Sequence, residues 1–408
     1  MSKGLAKATI LLVVFKILLI GLESAVVNYF FGFVVMIISA LVYRTSVIQT
    51  ILRSKKVKIT VFLFIGIFTL STIVGMLNAE FVFFTSQSGQ IQSLLKIFLI
   101  FCILISTFYS VAKLGFSYVE KFIVAALFLH VCIGLVMALV GIRVDIQGDA
   151  RIAGLTGHVN TYSLCCFLLV VYLLPDALRR LFSLRAGIVI VSLCGLILSL
   201  TLSYIAAVVV VFVVIAWKMK LFRRVGSGIF VTVAIAAVSF LDLSGLFQRL
   251  ETINISSAVF SVEEGDILNN SFEWRLLHWR LLLNDWVNNY FYFGVGIGNA
   301  VHMRALKGDD GVGFNPHNDW ILFLVEFGVV AVSVFFFTLW RMVRLAIATL
   351  DDPSVKSRIV AATLGLSISM AFGPTVTTVS FMYAYIPLLA AAYTTALIQR
   401  RSQLYMLH

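Results

Sequence analysis

The chain is 408 residues long and 61% hydrophobic, carries only 12% charged residues and has a mean hydropathy of +1.04. A soluble globule typically carries about twice that charged share, so the composition excludes one and marks an integral membrane protein. The net charge of +12 from 31 Lys and Arg against 19 Asp and Glu is split into short clusters between apolar runs, the arrangement that sets membrane orientation, and argues against nucleic-acid binding.

Apolar runs of about 20 residues, the length that crosses a bilayer, are centred near residues 14, 35, 69, 102, 132, 167, 194, 211, 234, 330, 366 and 388. The first run lacks a small-residue cleavage site and leads straight into the next, so it reads as a retained span and not a signal peptide. About twelve spans put both termini on one side. With the amino terminus in the cytoplasm, the basic clusters at 44–58, 113–121, 179–185, 218–224, 341–358 and 400–401 all fall on the cytoplasmic side, as the positive-inside rule requires. A tight external turn is expected at TLSY, 201–204. Cys102, Cys132, Cys165, Cys166 and Cys194 all lie inside apolar runs without metal-ligand spacing and read as small core residues.

The expected organisation is an all-α polytopic membrane protein in three parts. Residues 1–242 hold nine spans, 243–317 form a long external loop, and 318–408 hold the last three. Within the loop, NNSFEWRLLHWRLLLNDWVNN reads as an amphipathic helix. Asn270 and Glu273 are spaced as a capping box, and Trp274, Leu277, Leu281 and Leu282 recur at helical intervals. Trp274, Trp279 and Trp286 suit the lipid headgroup boundary, which predicts that the helix lies along the outer interface. GVGIGNA, 294–300, is a Gly-rich turn with no preceding strand, so it is not a dinucleotide site.

Chemistry concentrates around PHNDWILFLVEFG, 316–328. His317 follows Pro316, which stiffens the chain, and could act as a base or simply bridge the interface by hydrogen bonds. Asn318 could orient a substrate hydroxyl or the loop backbone. Glu326 lies deeper, where an ionisable group is costly; it either binds substrate or links helices by hydrogen bonds. Arg275 and His278, three apart, share a helical face and could present a guanidinium and an imidazole toward the headgroup plane, or Arg275 could merely anchor to lipid phosphate. Arg151, in the external turn ARIAGLTGHVN, has a guanidinium suited to a diphosphate. No DxD, HExxH or Cys/His cluster is present, so neither a metal site nor a cofactor is expected.

These features together resemble the bacterial O-antigen ligase and O-antigen or exopolysaccharide polymerase superfamily, polytopic enzymes with a type C glycosyltransferase-like fold, over most of the chain. The ligase pattern of His, then Asn, Ser or Gln, nine residues, Gly, two residues and Gly appears as His317, Asn318, Gly328 and then Ala331 in place of the last Gly. The loop Arg followed by an aromatic looks like Arg275, the GxG after the interfacial helix like Gly294, Gly296 and Gly298, and the R-x-x-G turn like Arg151 and Gly154, with Asn160 beyond. Where the family often has Ser-Arg, this chain has Ser203-Tyr204, so a phosphate-binding Arg is missing and Arg249 is a candidate substitute.

The resemblance implies metal-free, inverting transfer of a glycan from an undecaprenyl-diphosphate carrier at the periplasmic face of the bacterial inner membrane. His317 and Arg275 would be catalytic; Arg151, Asn318, His278, Arg249 and Glu326 would bind substrate. The acceptor would be the lipid A core for a ligase, toward which the HN pattern tilts, or a second lipid-linked glycan for a polymerase. A flippase or other transporter would spread polar residues through paired halves with Gly-broken midplane helices; here they concentrate in external loops, which favours an enzyme.

Overall fold

The computed structural model describes residues 3–19, 25–45, 87–146, 149–156, 158–219, 271–303, 316–371 and 381–406, with isolated positions between 48 and 74. The helices are α1 (Lys3–Leu18), α2 (Ala25–Tyr43), α3 (Gln87–Leu114), α4 (Phe116–Leu139), α5 (Val159–Arg179), α6 (Leu184–Leu198), α7 (Leu202–Lys218), α8 (Ser271–Asp285), α9 (Asp319–Thr349), α10 (Pro353–Ser369) and α11 (Ile386–Met406). By length and composition α4, α5 and α9 are able to cross a membrane, and α6 and α7 are shorter apolar helices. The expected spans near 69 and 234, and much of the expected loop 243–317 with Arg249, lie largely outside the described residues.

The described residues are helical, as expected, apart from one short antiparallel hairpin, β1 (Val144–Ile146) with β2 (Asp149–Arg151), in which Val144 faces Arg151. The tight turn expected at 201–204 falls at 199–201, between the end of α6 and the start of α7, with Leu200 at φ 53°.

Helix α5 is apolar on every face and correspondingly buried, from Val159 through Leu178 almost without interruption. It is packed by α4, α6, α7 and α10, while α1, α2 and α11 gather on α3. α10 starts with Asp352 accepting from the Ser354 N–H at 2.7 Å and with Pro353 in the first turn, where a missing N–H costs nothing. It then runs antiparallel to α5 at close range, because Gly365 leaves room: a Cβ there would lie 3.1 Å from Phe167 and 3.2 Å from Val171.

That register defines two ends. At one, Arg358 of α10 pairs with Asp176 of α5 (2.5 Å) and Glu120 of α4 (3.1 Å), Tyr172 donates to Glu120 at 2.9 Å, and Arg185 of α6 also bonds Asp176. Arg358 therefore belongs to a buried network spanning four helices, whereas the sequence places it among cytoplasmic loop charges. Breaking one partner of such a network leaves an uncompensated buried charge. At the opposite end, the Met370 carbonyl that follows α10 comes level with the first turn of α5 and accepts the Asp319 N–H of α9 at 2.8 Å.

α9 carries a break. Gly328 sits at φ 71°, ψ 171°, a region closed to side-chain-bearing residues. A regular helix would bond the Val329 N–H to the Val325 carbonyl and the Val330 N–H to the Glu326 carbonyl. Both bonds are opened, and all four groups find partners in residues 291–296. Val295 and Gly296 donate to the Val325 and Glu326 carbonyls at 2.9 and 3.0 Å; Val329 and Val330 donate to the Phe291 and Tyr292 carbonyls at 3.0 and 3.3 Å.

Lengths show what the break does. From Leu350 back to Asp319 is about 46 Å of straight helix, but α10 covers the same two levels in about 25 Å. The half-helix before Gly328 must therefore turn aside at the kink. His317 consequently sits level with the end of α10 and not a further ~20 Å beyond it.

Candidate active site at the His317 turn

His317 occupies the left-handed region at φ 51°, which costs a residue with a Cβ about 1–2 kcal/mol. Its neighbours on both sides hold that geometry. Trp279 of α8 donates its indole N–H to the Pro316 carbonyl, and Asn318 caps α9, its side-chain oxygen accepting from Trp320 N–H at 3.0 Å and Ile321 N–H at 3.1 Å. Trp320 in turn donates to the Ser367 carbonyl at 2.8 Å. Asn318 thus orients the backbone, one of the two roles open to it from sequence.

α8 lies against this turn. Trp274 stacks on His278 with ring centroids 5.0 Å apart and meets His317 edge-on at 6.2 Å. Arg275, half-buried, is close enough for its charge to act on His317. Burial first, and that charge second, hold the imidazole below its usual range of 6.5. A neutral imidazole at neutral pH is able to accept a proton. Burial also lowers the pKa of the Arg275 guanidinium, which marks a cation drawn partly out of water, where its attraction for an anion is strengthened.

Two expectations for α8 are corrected. His278 does not face headgroups; it is fully buried beneath Trp274. The tryptophans are likewise engaged by the protein: Trp286 is 7% exposed, in a cluster with Leu282, Val295, Ile321, Leu322 and Val325, while Trp279, half-buried, is bound to Pro316. At its end α8 widens into a π turn, Trp286–Tyr290.

The Gly-rich segment proves to be the piece that fills the break in α9. Gly294 and Gly328 meet reciprocally: a Cβ on Gly294 would lie 2.4 Å from the Glu326 carbonyl, and one on Gly328 would lie 2.3 Å from the Tyr292 oxygen. Glu326 completes the joint, its buried carboxylate accepting N–H bonds from Gly298 at 2.9 Å and from Ala300. Glu326 thus clamps the Gly-rich segment to α9. Ala331, where the family pattern has Gly, lies in regular helix beyond the kink, where a Cβ is tolerated.

Arg151 ends the hairpin, buried, on the same end of the molecule as His317 by the α5–α10 register. The turn behind it is fixed by Tyr162 of α5. This ring is slotted among Gly134 of α4, Gly154 and Gly195 of α6, at each of which a Cβ would come within 2.2–2.9 Å of it. Its hydroxyl donates to the Val131 carbonyl at 3.1 Å. Sequence reasoning missed Tyr162; the signal was three glycines spaced one to a segment. Tyr204, in place of the family Arg, is buried with its ring 5.3 Å from Phe167, so it fills core and leaves no cation there.

Residues 187–336 match the family described as O-antigen ligase. The chain carries an O-antigen ligase family domain. The match runs from α6 through α8, the Gly-rich segment and the His317 turn to beyond the kink, so it includes both His317 and Arg275 and supports placement in the O-antigen ligase superfamily. No curated protein is matched by the chain. Among the described residues no group of three or more His, Cys, Asp and Glu is placed to hold a metal ion.

Proposed function

We propose that this O-antigen ligase family protein transfers a glycan from an undecaprenyl-diphosphate donor to a saccharide hydroxyl, at the periplasmic face of the bacterial inner membrane with both termini in the cytoplasm. The observation that carries the reading is the pairing of a strained, partly buried, neutral His317 with the Arg275 guanidinium. In an inverting transfer the acceptor oxygen forms a bond to the anomeric carbon as the carbon–oxygen bond to diphosphate breaks on the opposite side. The leaving oxygen takes the electron pair, and the acceptor proton passes to His317. Arg275 and, from the hairpin, Arg151 receive the developing negative charge, the role a cation fills in other transferases. The reaction then needs no metal.

The transporter reading predicts a Gly-broken midplane helix, and α9 is Gly-broken. Its break, however, is about 31 Å from the inner end of the helix, near the far boundary of a hydrocarbon layer about 30 Å thick. It is also closed by backbone from residues 291–296, which leaves no open half-helix termini for a substrate. This favours the enzyme.

Purified protein with a defined undecaprenyl-diphosphate glycan, in EDTA, with either lipid A core or a second lipid-linked glycan as acceptor, tests the proposal. Transfer to the core identifies a ligase and transfer to the second carrier a polymerase. Activity that requires an added divalent ion refutes the arginine mechanism, and no transfer to either acceptor refutes the reading.

A further inference from the structure

Trp286 is buried, Trp279 is bound to the Pro316 carbonyl and Trp274 is stacked on His278, so the three tryptophans expected to anchor α8 at the interface are engaged by the protein. The exposed apolar groups are instead at the tip that follows α8: Val287, Phe291, Tyr292 (65% exposed) and Phe293. Water around such a cluster is unfavourable, and contiguous exposed apolar surface of this kind marks a contact.

The position of the cluster identifies the contact. The Val330 N–H donates to the Tyr292 carbonyl, and Val330 heads an exposed apolar stripe on α9 that continues through Phe337 and Trp340, spaced seven and ten residues on and so on one face. α9 is one of the helices able to cross a membrane. The stripe ends where Arg341 lies over Phe337 at 5.7 Å and Arg344 over Trp340 at 5.2 Å, the arrangement of cations reaching back toward a headgroup layer. Whether the inner boundary is drawn at Arg341 or at Leu350, Val330 lies about 16–30 Å from it, inside or at the far edge of a hydrocarbon layer about 30 Å thick. Asn288 and Asn289, exposed on the π turn just before the tip, supply polar groups for a headgroup layer beside it.

We propose that Val287 and Phe291–Phe293 form a membrane-inserted tip, in contact with the acyl chains of the leaflet on the His317 side. Insertion anchors the joint between the Gly-rich segment and α9, and through it holds α8 and the His317 half-helix against the bilayer surface, where a lipid-borne donor is presented. The role in presentation rests on the proposed function; the insertion itself does not.

The test separates the two. Single cysteines at Tyr292, Asn288 and Phe337 carry nitroxide labels in the full-length protein in lipid nanodiscs, and relaxation by oxygen is compared with relaxation by a water-soluble nickel chelate. Unsubstituted protein, whose five cysteines are buried or half-buried, sets the background. The proposal predicts an oxygen-to-nickel ratio at 292 close to that at 337 and well above that at 288. A nickel-dominated signal at 292 places the tip in water and overturns it. A label at 292 reached by neither agent also overturns it, since the tip is then covered by protein, such as a second copy. Tyr292→Asp, assayed for glycan transfer, then reports on presentation: insertion confirmed by the labels with unchanged transfer removes the link to donor presentation alone.

Discussion

Gly328→Ala is the substitution whose consequences follow most fully from the geometry. A methyl group at that position would lie 2.3 Å from the Tyr292 oxygen and 2.4 Å from the Phe293 nitrogen, both backbone atoms that cannot rotate away. The φ of 71° and ψ of 171° add a backbone cost of about 1–3 kcal/mol for any residue with a Cβ. The chain can escape only by straightening. Straightening restores two helical bonds and gives up four to residues 291–296, a net loss of two bonds worth about 1–3 kcal/mol. It also swings the half-helix that ends at His317 away from Arg275. Since a displacement of about 1 Å at a reacting group can cost about 10²-fold in rate, glycan transfer should fall by at least that factor, with a lower melting temperature. Turnover of lipid-linked donor by purified variants is the assay, with Ala331→Gly as control. That change restores the family glycine in regular helix and should cost only about 0.5–1 kcal/mol of stability with transfer retained. If Gly328→Ala keeps wild-type transfer, the kink does not position His317 and the reasoning fails.

Arg275→Gln should weaken donor binding and also shift the pH profile. Because Arg275 lowers the His317 pKa, its charge extends the neutral imidazole to lower pH; without it the acid limb of the rate profile should move upward. An unmoved limb would mean that the limb belongs to another group. Arg275→Lys should lose more donor affinity than Arg280→Lys, Arg280 being exposed, because an ammonium cannot reproduce a two-toothed grip; equal effects in a donor titration would reduce Arg275 to a lipid anchor. Tyr162→Phe keeps the ring in its glycine slot and should retain donor affinity, whereas Gly154→Ala, which must shift either Tyr162 or the Arg151 hairpin, should raise the donor KM with less effect on kcat. The reverse order would detach Arg151 from donor binding.

The helical class was legible because apolar runs of membrane length leave the backbone no other way to satisfy its hydrogen bonds. His317 and Arg275 stand out as candidates because a titratable group beside an apolar helix, and a cation beside aromatics, are each conspicuous in so uncharged a chain. The kink was not legible. Gly328 stands in an apolar run where a helical glycine is tolerated, and what opens the helix is a backbone pairing with residues 291–296, more than thirty positions earlier. His278 shows the same limit from the other side: its spacing suggested an imidazole presented beside Arg275, but only packing reveals that the ring is buried beneath Trp274. Arg358 was read as a loop charge because Glu120 and Asp176, which hold it, lie on helices far away in sequence. The strands β1 and β2, three residues each, were too short for alternation to show.

The central claim is that His317 takes the proton from the acceptor hydroxyl. The most direct measurement is single-turnover transfer by His317→Ala in lipid nanodiscs, with saturating undecaprenyl-diphosphate glycan and acceptor, after donor binding has been shown to match wild type. The account predicts intact binding and a rate lower by roughly 10²–10⁴. A variant that binds donor and transfers at the wild-type rate would contradict it.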